Sequence, residues 1–181
     1  MPVVATTDFY LGEDSRENED MIKEFEDLAR DNQCRMIYAP NFALGMRAFF
    51  RIVASAAREL FSLDYDPAIM EWHNSGKADV SGTAKKLGNL LLSESRKQKS
   101  ALLVGDCTQK RQNSEITIGS ARAGKIPGTH QVIFDSEVDT IELIHRVRDP
   151  NIFAHGALGA AHIIKDFKPG VYTVDDMLAC F

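Results

Sequence analysis

The pattern of apolar and polar positions divides the chain into short strands and amphipathic helices. Val3, Val4 and Ala5 form an apolar strand, and Thr6, Thr7 and Asp8 follow it as a loop. Over 17–32, Met21, Ile22, Phe25, Leu28 and Ala29 recur at helical spacing among acids, which predicts a helix with one apolar face. R-M-I-Y-A at 35–39 reads as a second strand, ended by Pro40-Asn41-Phe42. Strand, loop, helix and strand make a βαβ unit with a parallel pair.

Further on, 45–61 is predicted helical, apolar at Phe49, Ile52, Val53, Ala56, Ala57 and Leu60. A strand over 67–73 precedes a helix over 83–96 that buries Leu87, Leu90 and Leu91. The stretch 94–115 is polar and basic apart from A-L-L-V at 101–104, and reads as a long loop holding a short turn or helix. Strands follow over 116–122, 130–134 and 140–148. The last alternates, with Ile141, Leu143, His145 and Val147 on one face and Thr140, Glu142, Ile144, Arg146 and Arg148 on the other. With 67–73 these strands predict an open mixed sheet, mostly antiparallel and four-stranded. A helix over 151–167 carries Gly156, Ala157, Gly159, Ala160 and Ala161, small enough for close packing. A Pro169-Gly170 turn and a short helix over 174–178 end the pattern. The fold class is therefore α/β (α+β), a parallel βαβ unit beside a sheet with flanking helices.

At 181 residues the chain has room for one large or two small domains. A formal net charge of −5 gives no footing for bulk binding to nucleic acid or anionic membrane. No apolar run approaches the roughly 18 residues of a membrane span, and the expected compartment is the cytoplasm. Cys34, Cys107 and Cys180 have neither disulfide-framework nor metal-site spacing, and no metal is expected. Charge is unevenly spread: residues 1–31 hold ten acids against three bases, and 77–125 ten bases against four acids. The basic stretch suits an anionic small ligand; a solvated helix face plus loop explains the part over 96–99 equally well.

Candidate chemistry concentrates in E-W-H-N-S-G-K-A-D-V-S-G-T-A at 71–84. An imidazole, an ammonium and a Ser-Gly-Thr turn at a helix start are what an anionic small molecule would need. The same residues also fit a plain strand-to-helix loop with Ser81 or Thr83 as N-cap. His130, His145, His155 and His162 share no metal-ligand spacing, and His145 on its apolar face reads as a satisfied core histidine.

Several stretches resemble the 4-hydroxy-tetrahydrodipicolinate reductase family. Residues 71–84 follow its E-x-H-H-x-x-K-x-D-A-P-S-G-T-A motif with one residue fewer. V-V-A-T-T-D-F at 3–9 is similar to its V-I-G-T-T-G-F, and A-P-N-F-A-L-G at 39–45 to its A-x-N-F-S-x-G. G-S-A-R-A-G-K-I-P-G-T-H at 119–130 and F-A-H-G-A-L-G-A-A at 153–161 also match, in order. The resemblance implies hydride transfer from NADPH or NADH to a small cyclic dicarboxylate in lysine and diaminopimelate biosynthesis. It gives His73 an acid–base role, Lys77 proton donation, and Gly82 and Thr83 a substrate carboxylate. Asn74 stands where the family has a second histidine that contacts substrate; it can hydrogen-bond but carries no charge. Ala5, Thr6 and Thr7, with Ala39, Pro40, Asn41 and Phe42, fall where the family's loops meet the nicotinamide. A homotetramer built on the sheet is also implied.

Ala5 and Asp8 replace family glycines, and no G-x-x-G-x-x-G loop occurs in the 181 residues. The resemblance thus implies that 1–42 is the C-terminal remnant of a Rossmann-type dinucleotide-binding domain. Residues 43–150 would be the substrate-binding, catalytic and oligomerisation domain, and 151–181 a helical return segment packed on the first part. The missing nucleotide-binding half would lie upstream or elsewhere. The alternative is a non-catalytic relative that keeps dicarboxylate binding or the oligomer-forming sheet. Arg122 and Lys125 read either as extra positive charge for the carboxylates or as solvated loop residues.

Overall fold

In chain order the elements are β1 (Val3–Ala5), α1 (Arg16–Asp31), β2 (Arg35–Ala39), α2 (Leu44–Leu60), β3 (Asp66–His73), α3 (Gly82–Glu94) and β4 (Ala101–Val104). There follow β5 (Glu115–Arg122), β6 (Thr129–Asp135), β7 (Thr140–Arg146), α4 (Ile152–Ile163), β8 (Gly170–Thr173) and α5 (Val174–Leu178). The computed structural model describes residues 3–5, 16–39, 42–105 and 110–179. The chain divides into two units, one of Met1–Arg47 with Pro150–Phe181 and one of Ala48–Asp149.

In the first unit β1 and β2 pair in parallel, Val3 opposite Ile37 and Ala5 opposite Ala39, as the strand–helix–strand pattern predicts. Helix α1 buries Ala29, whereas Leu28, expected on the same apolar face, is 50% exposed. A third strand extends the sheet: β8 lies parallel to β2 on its other side, Arg35 opposite Gly170 and Tyr38 opposite Thr173. The sequence pattern shows only a turn there. Four residues carry too little periodicity to mark a strand, and their conformation is set by the ladder offered by β2. Ile37, Ala39, Phe42, Ala160, Ile164, Val174 and Met177 form the core of this unit. Of the small residues on α4, Gly156 makes the close approach. A β-carbon there would lie 1.7 Å from the carbonyl oxygen of Phe42, whereas one at Gly159 would meet nothing within 4 Å.

In the second unit five strands lie in the order β4-β5-β3-β6-β7. The β3–β5 and β4–β5 pairs are parallel, and the β3–β6 and β6–β7 pairs antiparallel. This corrects two expectations. A-L-L-V at 101–104 is strand β4, not a turn or helix within a loop, and the sheet is evenly mixed rather than mostly antiparallel. Strand β4 forms because Leu102 and Leu103 sit opposite Ile116 and Thr117 and because α3 lies close over it: a β-carbon on Gly88 would be 2.9 Å from both Leu102 and Ile118. Ile69, Leu87, Leu91, Ile116, Ile118, Val132 and Phe134 are all 0% exposed and make the core. Edge strand β7 alternates as its sequence predicts, with Ile141, Leu143 and His145 half-buried and Thr140, Glu142, Ile144 and Arg146 exposed. At the start of β3, Asp66 pairs with both Lys99 and Arg111. The Lys99 side chain is only 9% exposed and so is neither solvated nor free charge for a ligand, whereas Arg96 and Lys97 are exposed as a solvated face requires.

Gly156→Ala forces a methyl against backbone that cannot rotate away, and should cost about 3 kcal/mol or more, the upper range for overpacking. Gly159→Ala should be neutral or stabilise by up to about 1 kcal/mol through helix propensity. Urea unfolding of the two variants beside the parent chain measures both. Equal effects would remove the close α4 packing from the account.

Candidate active site

Strand β3 buries every second residue, so Pro67, Ile69, Glu71 and His73 share its inner face. Two of these are ionisable. Glu71 is 0% exposed and His73 8%, and a buried carboxylate is tolerated only when donors surround it. Two neighbouring elements supply them, and a third closes over the carboxylate. The backbone N–H of Ser81 donates to both Glu71 oxygens, at 3.2 and 3.1 Å. Arg122, at the end of β5, donates through Nη2 to Oε1 at 3.0 Å. His130 of β6 stands opposite Glu71 in the sheet register and brings Nε2 to 3.6 Å from Oε2 and 3.0 Å from Ser81 Oγ. Nδ1 of His73 lies 3.5 Å from Glu71 Oε1. The two imidazoles meet edge to face, with ring centroids 5.2 Å apart.

Between β3 and α3 the shortened loop is tied down rather than loose. Asn74 Oδ1 accepts from the Gly76 N–H at 3.0 Å, and the Asn74 carbonyl from the Lys77 N–H at 3.2 Å. The Ser75 N–H donates to the Gly124 carbonyl at 3.2 Å. Arg122 straps the loop from below, donating through Nε to the Lys77 carbonyl at 2.9 Å and through Nη2 to the Asp79 carbonyl at 2.8 Å. Its guanidinium is thus committed to Glu71 and to backbone, and is neither a solvated loop charge nor a free anion ligand. Among the described residues, the Lys77 side chain makes no hydrogen bond or ion pair.

Helix α3 begins with Ser81 as N-cap, its Oγ accepting from the Ala84 N–H at 3.0 Å. The Lys85 N–H returns to the Ser81 carbonyl at 3.1 Å. Gly82 and Thr83 are left as the first-turn residues whose N–H groups find no acceptor among the described residues. Such groups attract a carboxylate. Gly82 is exposed and Thr83 half-buried, so a ligand can reach them. Gly128 completes the site by what it lacks: a β-carbon there would stand 3.2 Å from His73 Nε2.

Residues 45–178 match the family model described as the C-terminus of dihydrodipicolinate reductase. The chain belongs to the dihydrodipicolinate reductase family. It is 37% identical over 154 residues to the 4-hydroxy-tetrahydrodipicolinate reductase of Methanosarcina mazei, covering 84% of this chain and 57% of that protein. It is 35% identical over 177 residues to that of Aquifex aeolicus, covering 97% and 63%. To that of Christiangramia forsetii it is 35% identical over 181 residues, covering 99% and 70%. The chain thus spans about three fifths of the first two relatives. Its fold is similar to that of a dipicolinate-bound dihydrodipicolinate reductase from Paenisporosarcina sp. TG-14, with a TM-score of 0.71 and 24% identity, over 97% of this chain and 63% of that one.

The structure gathers His73, Lys77, Gly82 and Thr83 within the second unit, around one short loop. Asn74 is exposed and spends its side-chain carbonyl on the turn. The sequence marks Ser81 only as an N-cap candidate and Arg122 as either carboxylate charge or a solvated loop residue, and gives Glu71 and His130 no site role. Glu71 and His73 do share a strand face by parity, but Arg122 lies 51 residues from Glu71 and only the sheet register brings it and His130 near. Of the residues expected near a nicotinamide, Ala5 and Ala39 stand side by side at the ends of β1 and β2 in the first unit. Thr6, Thr7, Pro40 and Asn41 lie outside the described residues. Phe42 is 1% exposed and part of the core, with its carbonyl close against Gly156, which leaves it no exposed surface for a cofactor. No helix among the described residues is long and apolar enough to cross a membrane.

The ligand atoms of Glu71, His73 and His130 lie within 4.8 Å of one another, a span a metal ion could bridge. Here the positive charge such a cluster calls for is Arg122, already bound to the carboxylate. Burial pushes the Glu71 carboxyl up, but the Ser81 hydrogen bonds and the two histidines outweigh it, and the net direction is down. Burial pushes His73 down, with Glu71 opposing and Lys77 and Arg122 adding to the fall. His130, more deeply buried and beside His73, is pushed down to about 4. His145, lowered by burial, packs 5.8 Å from the Phe49 ring and leaves Nδ1 without a hydrogen bond. It is a core histidine, but not a satisfied one.

The unfolded chain protonates His130 near its ordinary value of about 6.5, the folded chain only near 4. Unfolding therefore takes up a proton in that window, and stability falls as pH drops from about 6.5 towards 4. His130 alone should account for about 3 kcal/mol by pH 4; His73 and His145 act in the same direction. The lowered Glu71 carboxyl adds a loss further down, below the usual carboxylate range. His130→Gln keeps a partner for Ser81 and should lose about 3 kcal/mol less than the parent between pH 7 and pH 4. Urea unfolding at the two pH values tests this, and identical pH slopes would contradict the burial of a neutral His130.

Proposed function

We propose that this chain is the substrate-binding and proton-transferring portion of a 4-hydroxy-tetrahydrodipicolinate reductase. In this reading a hydride passes from NADPH or NADH to a small cyclic dicarboxylate, in lysine and diaminopimelate biosynthesis in the cytoplasm. The observation that carries it is the grouping of Lys77, the buried His73 and the unoccupied N–H groups of Gly82 and Thr83 around one loop, in a chain of this family.

The chemistry follows from what each group offers. Gly82 and Thr83 bind one carboxylate through N–H groups at a helix start, where the dipole favours negative charge. Lys77 meets the anionic ligand with three donors, and its ammonium supplies the proton that ring reduction requires. His73 exchanges protons through its imidazole. Asn74 contributes at most a neutral hydrogen bond where relatives of the family motif have a histidine.

A bound nicotinamide supplies the hydride. The two parallel strand ends at Ala5 and Ala39 fit it, because open α/β sheets bind ligands at carboxyl ends. Thr6, Thr7, Pro40 and Asn41 would complete that edge. Residues 1–42 would then be the end of a dinucleotide-binding domain, 43–150 the substrate and oligomerisation domain, and 151–181 the return segment. The exposed face of β7, with Ile144 at its centre, would serve a homotetramer.

Pyridine-2,6-dicarboxylate is the probe for calorimetry on the intact chain. Loss of a charged donor is worth about 1.5–3 kcal/mol, so Lys77→Ala should weaken binding by tenfold or more. His73→Ala should weaken it as well. Parent-like affinity in both variants would remove the site assignment. Dicarboxylate binding without any NADH or NADPH binding would favour the non-catalytic relative.

A further inference from the structure

We propose that Glu71 is the positioning residue for His73: its clamped carboxylate selects the Nδ1–H tautomer and so leaves Nε2, beside Gly128, as the proton-exchanging atom. The inference rests on the reading of His73 as the acid–base group and adds to it a residue and an atom.

Three observations support it. First, the carboxylate cannot turn away, because Ser81 N–H holds both its oxygens and Arg122 one of them. Second, His73 Nδ1 is buried and has no hydrogen bond, while the carboxylate oxygen stands 3.5 Å from it. That is slightly long for a hydrogen bond, and such contacts are often long before a ligand is bound. With the proton on Nδ1, the N–H points at an anion. With the proton on Nε2, a buried lone pair would face a carboxylate lone pair with no donor between them. Third, Nε2 is the nitrogen that borders the space kept by Gly128, where a β-carbon would come to 3.2 Å. One nitrogen faces a fixed anion and the other lies against Gly128.

His130 is the internal contrast. Its Nε2 is taken up by Ser81 Oγ at 3.0 Å and it stands 4% exposed, so it closes the far side of Glu71. Charged groups around His73 are Glu71, Lys77 and Arg122, with His130 against its ring.

The test is the tautomer of His73, read by long-range proton–nitrogen correlation on the 15N-labelled intact chain at pH 8. The peak is assigned with His73→Gln. The parent should show pyrrole-type nitrogen at Nδ1 and pyridine-type at Nε2, in a ratio of about tenfold or more. Glu71→Gln should erode that preference, and the His73 titration midpoint should fall further because the opposing anion is gone. Should Glu71→Gln not fold, Glu71→Asp, which withdraws the carboxylate by one methylene, is read the same way. An Nε2–H tautomer in the parent overturns the proposal. So does an unchanged tautomer in a folded variant, since a purely structural carboxylate would alter stability and leave the imidazole as it was. Dicarboxylate calorimetry is a separate readout: a lost preference with unaffected binding keeps Glu71 as positioning residue but removes His73 from the ligand site.

Discussion

A carboxylate with no exposed surface must be surrounded by donors, and meeting that need at Glu71 assembles the second unit's site. The idealised cost of burying such an ion unpaired runs to several kcal/mol even after relaxation. Here α3 contributes the Ser81 N–H and β5 contributes Arg122, while His130 of β6 stands 3.6 Å off and closes the site. The same demand places His73, two residues on along β3. Any shift of these elements that would misplace His73 also unpairs Glu71. The geometry of the candidate acid–base group is therefore coupled to stability.

Arg122 carries that coupling to the loop. A lysine could neutralise Glu71 as a point charge, but only a guanidinium has enough donors to serve a carboxylate and several carbonyls together. By donating to the Lys77, Asp79 and Ala121 carbonyls as well as to Glu71, it fixes the backbone that carries Lys77. The Asn74 turn holds the other end of the same short loop. The Asn74 turn at one end and the Arg122 contacts at the other thus hold the backbone that carries Lys77.

Much of this was legible in the sequence wherever the information is local. The apolar spacing on α2 and α3, the alternation of β7 and the β1–α1–β2 pattern all predict the elements found. Strands β4 and β8 were not legible because each has four residues and becomes a strand only by pairing with a partner remote in sequence. The site divides along the same line. His73, Lys77, Gly82 and Thr83 are visible as one motif. Arg122 looked like a surface charge, and His130 like one of several unrelated histidines, because what they do depends on register across β3. Lys99 and Arg111 misled for a similar reason: their partner, Asp66, is at the other end of β3 from His73.

The direction of the His73 shift bears on how the proposed reaction would divide its work. Burial and two nearby cations hold the imidazole below its ordinary value, and Glu71 only partly offsets them. At neutral pH the ring is then mostly neutral, so it is better suited to accept or relay a proton than to start the reaction as the acid. A neutral ring also leaves Glu71 and Arg122 as a balanced pair, without a third full charge in a buried space. An anionic ligand would change that balance. Its carboxylate at Gly82 and Thr83 would add negative potential near His73, which favours the protonated ring. Binding and protonation would therefore reinforce each other, and the acid form would be populated when substrate is present rather than in the free chain. Lys77, in the same loop and with no ion partner among the described residues, would be the cation left for the proposed ligand.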